Sequence, residues 1–226
     1  MVRAMRRTLE PEVMDTAEDA LEYDAMDFAE PDTRFAEAAA ALLGDAPPAA
    51  ARVLDIGTGT AKIPILLLGR RPGLSVLAVD MAEEMLRVAA ASVERAGLAA
   101  SCALARMDAK ALDAPAGAFD LVMSNSLAHH LPEPLDLFRE IARVVKPGGA
   151  ILVRDLIRPE SVEAARAIVD RVSPDDTPRQ RRLFFDSLCA ALTLDEVRDL
   201  VAAAGIEGAT VAQVSDRHWS VERARA

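Results

Sequence analysis

The chain of 226 residues contains few cysteines, lysines and aromatic residues. Its two cysteines, Cys102 and Cys189, are isolated in the sequence, which excludes a disulfide scaffold. No cluster of histidine, cysteine and acidic residues has the spacing of metal ligands, so no metal site is predicted. The formal net charge is −10, and only three basic residues are lysines. This charge argues against a nucleic-acid partner, because phosphate binding needs clustered lysine and arginine.

Long apolar runs are also missing. No stretch reaches the length that spans a membrane, and the N-terminus lacks the apolar segment of a secretory signal. We therefore expect a cytoplasmic protein without a membrane partner. Hydrophobic residues make up 51% of the chain, which is enough for one core, so we expect a single domain over residues 1–226.

Strand-like and helix-like segments alternate from residue 51 onwards. Strands are predicted at 51–55, 74–80, 100–106, 119–124 and 150–155, and helices at 62–70, 82–96, 134–145 and 194–204. This alternation predicts a mostly parallel sheet with helices on both faces. Residues 1–48 predict a helical lid with Pro31 at a first helical position. Residues 158–192 predict a helical insertion, and 209–225 a terminal hairpin.

The most informative stretch is VLDIGTGTA at residues 53–61. The glycines of this stretch lie between a predicted strand end and a predicted helix start. Gly57 and Gly59 lack a Cβ, which allows the backbone to turn sharply and to approach a ligand closely. Asp80 ends the next predicted strand, 25 residues after Asp55, where an acid binds a ribose diol in dinucleotide-type folds. The spacing therefore predicts a nucleotide-like ligand at a helix N-terminus.

The loop differs from the nicotinamide fingerprint, because Lys62 occupies the position of its last glycine. It resembles instead the first motif of the class I S-adenosylmethionine-dependent methyltransferases. The resemblance extends to Asp80, to the Asp108 turn, to FDLVMSNSLAHHL at residues 119–131 and to KPGG at 146–149. It is strongest for the small-molecule branch around the ubiquinone and menaquinone methyltransferases.

This resemblance implies a Rossmann-like fold with a seven-stranded, mostly parallel sheet. It also implies S-adenosyl-L-methionine as the cofactor and methyl transfer to a small molecule, with release of S-adenosylhomocysteine. The third loop glycine of many family members is Ala61 here. The cofactor-binding residues implied by the resemblance are Asp55, Gly57, Thr58, Gly59, Asp80, Met81, Asp108, Ala109, Ser124 and Asn125.

The resemblance places His129 and His130 beside the sulfonium of the cofactor, and these two are the candidate catalytic residues. A neutral imidazole could act as a general base for the acceptor. The sulfonium already carries an activated methyl group, so alignment alone can suffice, and we favour positioning. Tyr23 of the lid, Asp155 and Arg158 are tentative substrate contacts.

Other functions stay open at this point. A methyltransferase that acts on RNA or protein is one alternative, since Arg179, Arg181 and Arg182 could form a local basic patch. A non-catalytic cofactor-binding protein is another, and a nicotinamide oxidoreductase is a distant third. The sequence identifies neither the methyl acceptor nor the oligomeric state.

Overall fold

One mixed sheet organises the chain. The computed structural model describes residues 5–10, 15–26, 28–44 and 50–226. Within these residues the strands are β1 Arg52–Ile56, β2 Ser75–Asp80, β3 Cys102–Arg106, β4 Phe119–Asn125, β5 Val145–Leu156, β6 Thr210–Gln213 and β7 His218–Arg223. Their order is β3-β2-β1-β4-β5-β7-β6. Strands β1 to β5 are parallel, whereas β7 is antiparallel to both β5 and β6. The predicted seven-stranded, mostly parallel sheet is thus confirmed.

Helices fill the connections between the strands. In the described residues they are α1 Ala17–Ala25, α2 Ala29–Leu42, α3 Lys62–Arg70, α4 Glu83–Arg95, α5 Leu135–Val144, α6 Val162–Val172, α7 Pro178–Ala190 and α8 Leu194–Ala203, with a 3₁₀ helix at Ala128–His130. Helices α6 and α7 form the predicted insertion. Among the described helices, none combines the length and apolarity needed to cross a membrane.

Two of the boundaries that differ from the prediction have a clear physical reason. Helix α2 begins at Ala29, so Pro31 is its third residue; this position is tolerated because amides of the first turn have no intrahelical partner. Strand β5 begins before residue 150, because Val145 already pairs with Phe119 while Ala150 pairs with Leu121. Residues 146–149 therefore form an irregularity within the strand rather than the turn that precedes it.

Both faces of the sheet are buried. Successive residues of β1 pack into different cores: Val53 joins a cluster with residues of α2 and α3, and Leu54 joins a cluster with residues of α5 and α8. Parallel sheets require this two-sided cover. The carboxyl ends of the strands are thereby left as the open edge at which a ligand can bind.

Helix α1 packs on α4 through an apolar cluster that includes Ala20, Met85 and Val88, and it is also held by polar contacts. The last turn of α1 contains no basic residue of its own. Lys62, at the start of α3, provides the positive charge at this helix end instead. Lys62 Nζ donates hydrogen bonds to the backbone oxygens of Asp24, at 2.6 Å, and of Met26, at 3.2 Å. At the other end, the Asp15 carboxylate accepts from the Glu84 amide at 2.9 Å. A cation at helix C-terminal carbonyls stabilises the helix end.

We expect Lys62→Met to loosen α1 while the sheet stays intact. Loss of charge-assisted bonds at a partly exposed site should cost about 1 kcal/mol, or about a five-fold increase in local opening. Hydrogen–deuterium exchange of residues 17–26 measures this change. Lys110→Met, which removes a lysine that pairs with Asp108, is the matched control. Equal exchange of α1 in both variants would contradict the role of Lys62.

Candidate functional site

The glycine loop is fastened to the end of β2. The amides of Gly57 and Thr58 both donate to the backbone oxygen of Val79, each at 2.9 Å. The Gly59 amide donates to Oδ2 of Asp80 at 2.8 Å. Gly57 and Gly59 have φ values of 74° and 55°, a region that glycine adopts without steric cost. The sequence therefore folds into a tight loop because both turn positions lack a Cβ.

Two residues without this freedom also have left-handed backbones near the loop. Ala61 has a φ of 62°, and Ser126 has a φ of 56°. Such a conformation costs an L-residue roughly 1–2 kcal/mol. Strain of this kind persists where the surrounding structure requires it, and it is commonly found at ligand sites. A glycine would adopt the φ of Ala61 without this cost.

Asp80 is held by two backbone amides. Its Oδ2 accepts from Gly59, and its Oδ1 accepts from Ala82 at 2.9 Å. Burial raises the pKa of Asp80 above its ordinary value, and the amide hydrogen bonds oppose this effect. Asp55 is 2% exposed on the neighbouring strand, and burial raises its pKa to about 7. Asp80 is thus the acid that faces the cleft, whereas Asp55 supports the loop from inside.

A cleft opens at the carboxyl ends of β1, β2 and β4. It is lined by seven predicted cofactor residues: Gly57, Gly59, Asp80, Met81, Asp108, Ala109 and Asn125. Tyr23 and His130 of the predicted substrate side line the same cleft. Further lining residues that the sequence analysis did not single out are Ile56, Ala82, Met85, Met107, Lys110, Ser126, Leu127 and Leu131. Most of these residues are adjacent in sequence to a motif named in the sequence analysis. This adjacency is the signal that could have identified them.

Asp108 lies in a short turn on the cleft wall. The amide of Lys110 donates to its Oδ1 at 2.9 Å, and Lys110 Nζ lies 3.1 Å from the same oxygen. Burial alone would raise the pKa of Asp108, but the contacts with Lys110 hold it below its ordinary value. The carboxylate is therefore ionised and able to accept a hydrogen bond from a ligand.

Tyr23 connects the lid to the glycine loop. A Cβ on Gly59 would lie only 3.4 Å from Cε1 of Tyr23, so the ring packs directly on the loop. Burial raises the pKa of Tyr23, and the negative charges of Asp32, Asp80 and Asp55 raise it further. The phenol is therefore a hydrogen-bond donor at the cleft under neutral conditions.

Some predicted site residues do not line the cleft. Thr58 is buried inside the loop. Ser124 donates its hydroxyl to the Ile56 backbone oxygen at 2.8 Å, so this side chain joins two strands. The prediction that Arg158 lies on the substrate side is not supported, since its buried guanidinium lies 2.7 Å from Glu196 Oε1. This contact joins the segment that follows β5 to α8.

His129 and Asp155 form a buried pair behind the cleft. Nδ1 of His129 lies 2.5 Å from Oδ1 of Asp155, and the His129 amide donates to Oδ2 at 3.0 Å. Burial would lower the pKa of His129, but the carboxylates of Asp155 and Glu10 hold it above its ordinary value. Burial would raise the pKa of Asp155, but His129 and backbone amides lower it. The two predicted residues thus act as one unit.

Residues 5–10, the N-terminal strap, pass over this pair. Glu10 Oε1 lies 3.3 Å from Nε2 of His129 and 3.1 Å from Nδ1 of His130. Arg7 donates to the backbone oxygens of His129, at 3.1 Å, and of Leu131, at 2.8 Å. The sequence analysis missed Glu10 and Arg7, because contacts across more than 100 residues leave no local pattern.

Comparisons with known proteins point to one family. A family described as "Methyltransferase domain" matches residues 54–153. A phosphatidylethanolamine N-methyltransferase from Cereibacter sphaeroides is 37% identical over 102 residues, which cover 45% of this chain and 49% of the relative. A demethylmenaquinone methyltransferase from Thermus thermophilus is 34% identical over 121 residues, 54% of this chain and 53% of the relative. The chain spans about half the length of the curated relatives that it matches.

A solved structure shares the fold over almost the whole chain. The SAM-dependent methyltransferase from Aquifex aeolicus superposes with a TM-score of 0.68 and covers 94% of this chain and 100% of its own, at 20% sequence identity. At this identity the likeness concerns the fold alone. The matched domain covers residues 54–153, and the superposed structure shares the Rossmann-like fold, so the chain is similar in domain and fold to S-adenosylmethionine-dependent methyltransferases.

Proposed function

We propose that this protein transfers the methyl group of S-adenosylmethionine to a small-molecule acceptor. The proposal rests on which residues line one cleft. The glycine loop, Asp80 and Asp108 lie there together with His130, so a cofactor site and a polar acceptor wall share one space. A ligand at this sheet edge would have its reactive end within reach of a second ligand.

The charges of the cleft suit the cofactor. Asp80 would accept from the ribose hydroxyls, and Asp108 would accept from the adenine amine. The donor itself carries a positive sulfonium and an ammonium group, and acidic side chains raise the local concentration of cationic ligands. Since Asp80 and Asp108 both line the cleft, the cofactor would meet a negative surface.

The acceptor proposal rests on what surrounds His130. The apolar side chains of Leu127 and Leu131 lie beside it on the cleft wall, which favours a small, partly apolar acceptor. The rival RNA hypothesis needed a basic patch on α7. All three candidate arginines have acidic partners there: Arg179 pairs with Asp19 and Glu22, Arg181 with Asp170, and Arg182 with Asp186. Paired arginines leave little charge for phosphates.

The chemistry requires alignment more than proton removal. S-adenosylmethionine would supply an activated methyl group: a lone pair of the acceptor would form the bond to the methyl carbon as the carbon–sulfur bond breaks, with its electron pair left on sulfur. A proton carried by the acceptor atom would pass to water. Holding the acceptor in line with the methyl group can itself supply a large part of the acceleration in such a step. Both ring nitrogens of His129 already face a carboxylate, Asp155 on one side and Glu10 on the other. His129 therefore positions the wall of the acceptor site, with His130 as the ring that faces the cleft.

The function is tested by incubating the protein with methyl-labelled S-adenosylmethionine and candidate acceptors. The panel contains quinol-like phenols, amine headgroups, total RNA and mixed protein. We expect label in a small-molecule fraction and an equal amount of S-adenosylhomocysteine. Label confined to RNA or protein would refute the acceptor class. Cofactor binding without transfer to any acceptor in the panel would favour the non-catalytic alternative.

We expect Asp80→Ala to weaken cofactor binding by roughly 1.5–3 kcal/mol per lost charge-assisted bond, which is about ten-fold or more in Kd. Asp80→Asn should lose less, because its single amide oxygen can replace one of the two carboxylate oxygens. Calorimetric titration with S-adenosylhomocysteine measures both variants. Asp195→Ala, which removes an acid that is 88% exposed on α8, is the control. Unchanged affinity in Asp80→Ala would remove the ribose assignment.

The two histidines should differ in their effects. Loss of a general base lowers the chemical step by roughly 10²–10⁴-fold. We expect His129→Asn, whose amide can still donate to Asp155, to lose less than this in single-turnover rate. His130→Ala should mainly raise KM for the acceptor, because His130 faces the cleft. Single-turnover rates with saturating cofactor distinguish positioning from proton transfer. Thermal unfolding of each variant shows that it is folded. A 10³-fold loss in folded His129→Asn would establish proton transfer instead.

A further inference from the structure

Three side chains with metal-binding groups meet where the N-terminal strap touches the cleft wall. Glu10, His129 and His130 each offer one ligand atom, and these atoms all lie within 4.8 Å of one another. We propose that these residues bind one divalent metal ion of the zinc type. This site adds to the proposed methyl transfer and does not depend on which acceptor is used.

The spacing of the donor atoms suits such an ion. Ligands 2.0–2.1 Å from a tetrahedral zinc ion are separated from each other by roughly 3.3 Å. The Glu10 oxygen lies 3.3 Å from the His129 nitrogen and 3.1 Å from the His130 nitrogen. Two histidines and one glutamate also form a donor set of known zinc sites, in which the fourth position is open. The three donors therefore need little movement to receive an ion.

Neighbouring groups orient two of the three ligands. Asp155 Oδ1 lies 2.5 Å from Nδ1 of His129, an arrangement that leaves the lone pair of Nε2 directed towards Glu10. Ser187 donates its hydroxyl to Glu10 Oε2 at 3.1 Å. Carboxylate–histidine pairs and hydrogen-bonded carboxylates of this kind support most protein metal sites and raise the basicity of the ligand.

Burial and charge also favour a cation. The side chains of Glu10, His129 and His130 are 9%, 4% and 21% exposed. The carboxylates of Glu10 and Asp155 both face the ring of His129 and attract a cation, while the nearby Arg7 supplies one positive charge. Without an ion, ring protons on the histidines must make the same contacts with Glu10. The metal-bound and the metal-free arrangement differ in the number of bound ions, and a metal titration measures this number directly.

An ion at this site would connect the N-terminal strap to the cleft wall. His130 lines the cleft, and Glu10 belongs to the strap. An ion shared by both would fasten residues 5–10 to the cleft wall, in addition to the hydrogen bonds of Arg7. We therefore expect slower hydrogen exchange of the strap when the ion is present.

The test uses the chelator-treated full chain, titrated with Zn²⁺ by calorimetry and with Co²⁺ by absorption spectroscopy. We expect one saturable equivalent of Zn²⁺, and Co²⁺ bands typical of nitrogen and oxygen ligands without a thiolate charge-transfer band. Glu10→Gln and His130→Ala should each weaken binding at least ten-fold. Asp155→Asn should weaken it by about 10–100-fold, the usual effect of losing a residue that orients a ligand.

Matched controls separate this site from unspecific binding. His218→Gln changes the third histidine of the chain, which contacts Ser215 instead, and Glu163→Gln changes an exposed glutamate of α6. Both should bind Zn²⁺ as the unaltered protein does. Glu10 lies on the strap, so Glu10→Gln leaves the core intact. Absence of saturable binding, or binding that survives in the Glu10→Gln, His130→Ala double variant, would overturn the proposal.

Discussion

The cleft depends on the attachment of the glycine loop to the end of β2. One backbone oxygen, that of Val79, accepts from two successive loop amides, and the adjacent Asp80 accepts from a third. The loop of β1 is therefore shaped by the neighbouring strand as well as by its own glycines. Helix α3 begins directly after the loop, and its first residue, Lys62, reaches the carbonyls of the lid. A change at the strand end would thus be transmitted through the loop to α1.

The fold could be predicted because its signals are local. Apolar runs, the two turn glycines and the capping box at Thr193 and Glu196 each lie within a few residues of the element they specify. The start of β5 could not be predicted in this way. Val145 belongs to the strand because it pairs with Phe119 of β4. The two residues are 26 positions apart, and the local sequence of neither segment predicts that they pair.

The residues that line the cleft could be predicted at the strand ends and less well where distant segments dock. The carboxyl ends of parallel strands lie at the same edge of the sheet, so a motif at a strand end predicts that its residues lie at the cleft. It does not predict the direction of a side chain. Ser124 and Asn125 are neighbours, yet Ser124 points into the sheet and Asn125 lines the cleft. The contact between Glu10 and His129 had no local signal, since it depends on how a distant segment docks.

The two N-terminal segments are held by a different kind of interaction from the sheet. Helix α1 buries a single residue of its own, Ala20, whereas β4 is buried along nearly its whole length. Segments with few buried apolar contacts open at low free-energy cost, and fully buried strands open only with global unfolding. Helix α1 should therefore open more readily than the strands that carry the glycine loop and Asp80. Tyr23 of α1 lines the cleft, so opening of this helix would remove one wall of the site while the glycine loop and Asp80 stay in place.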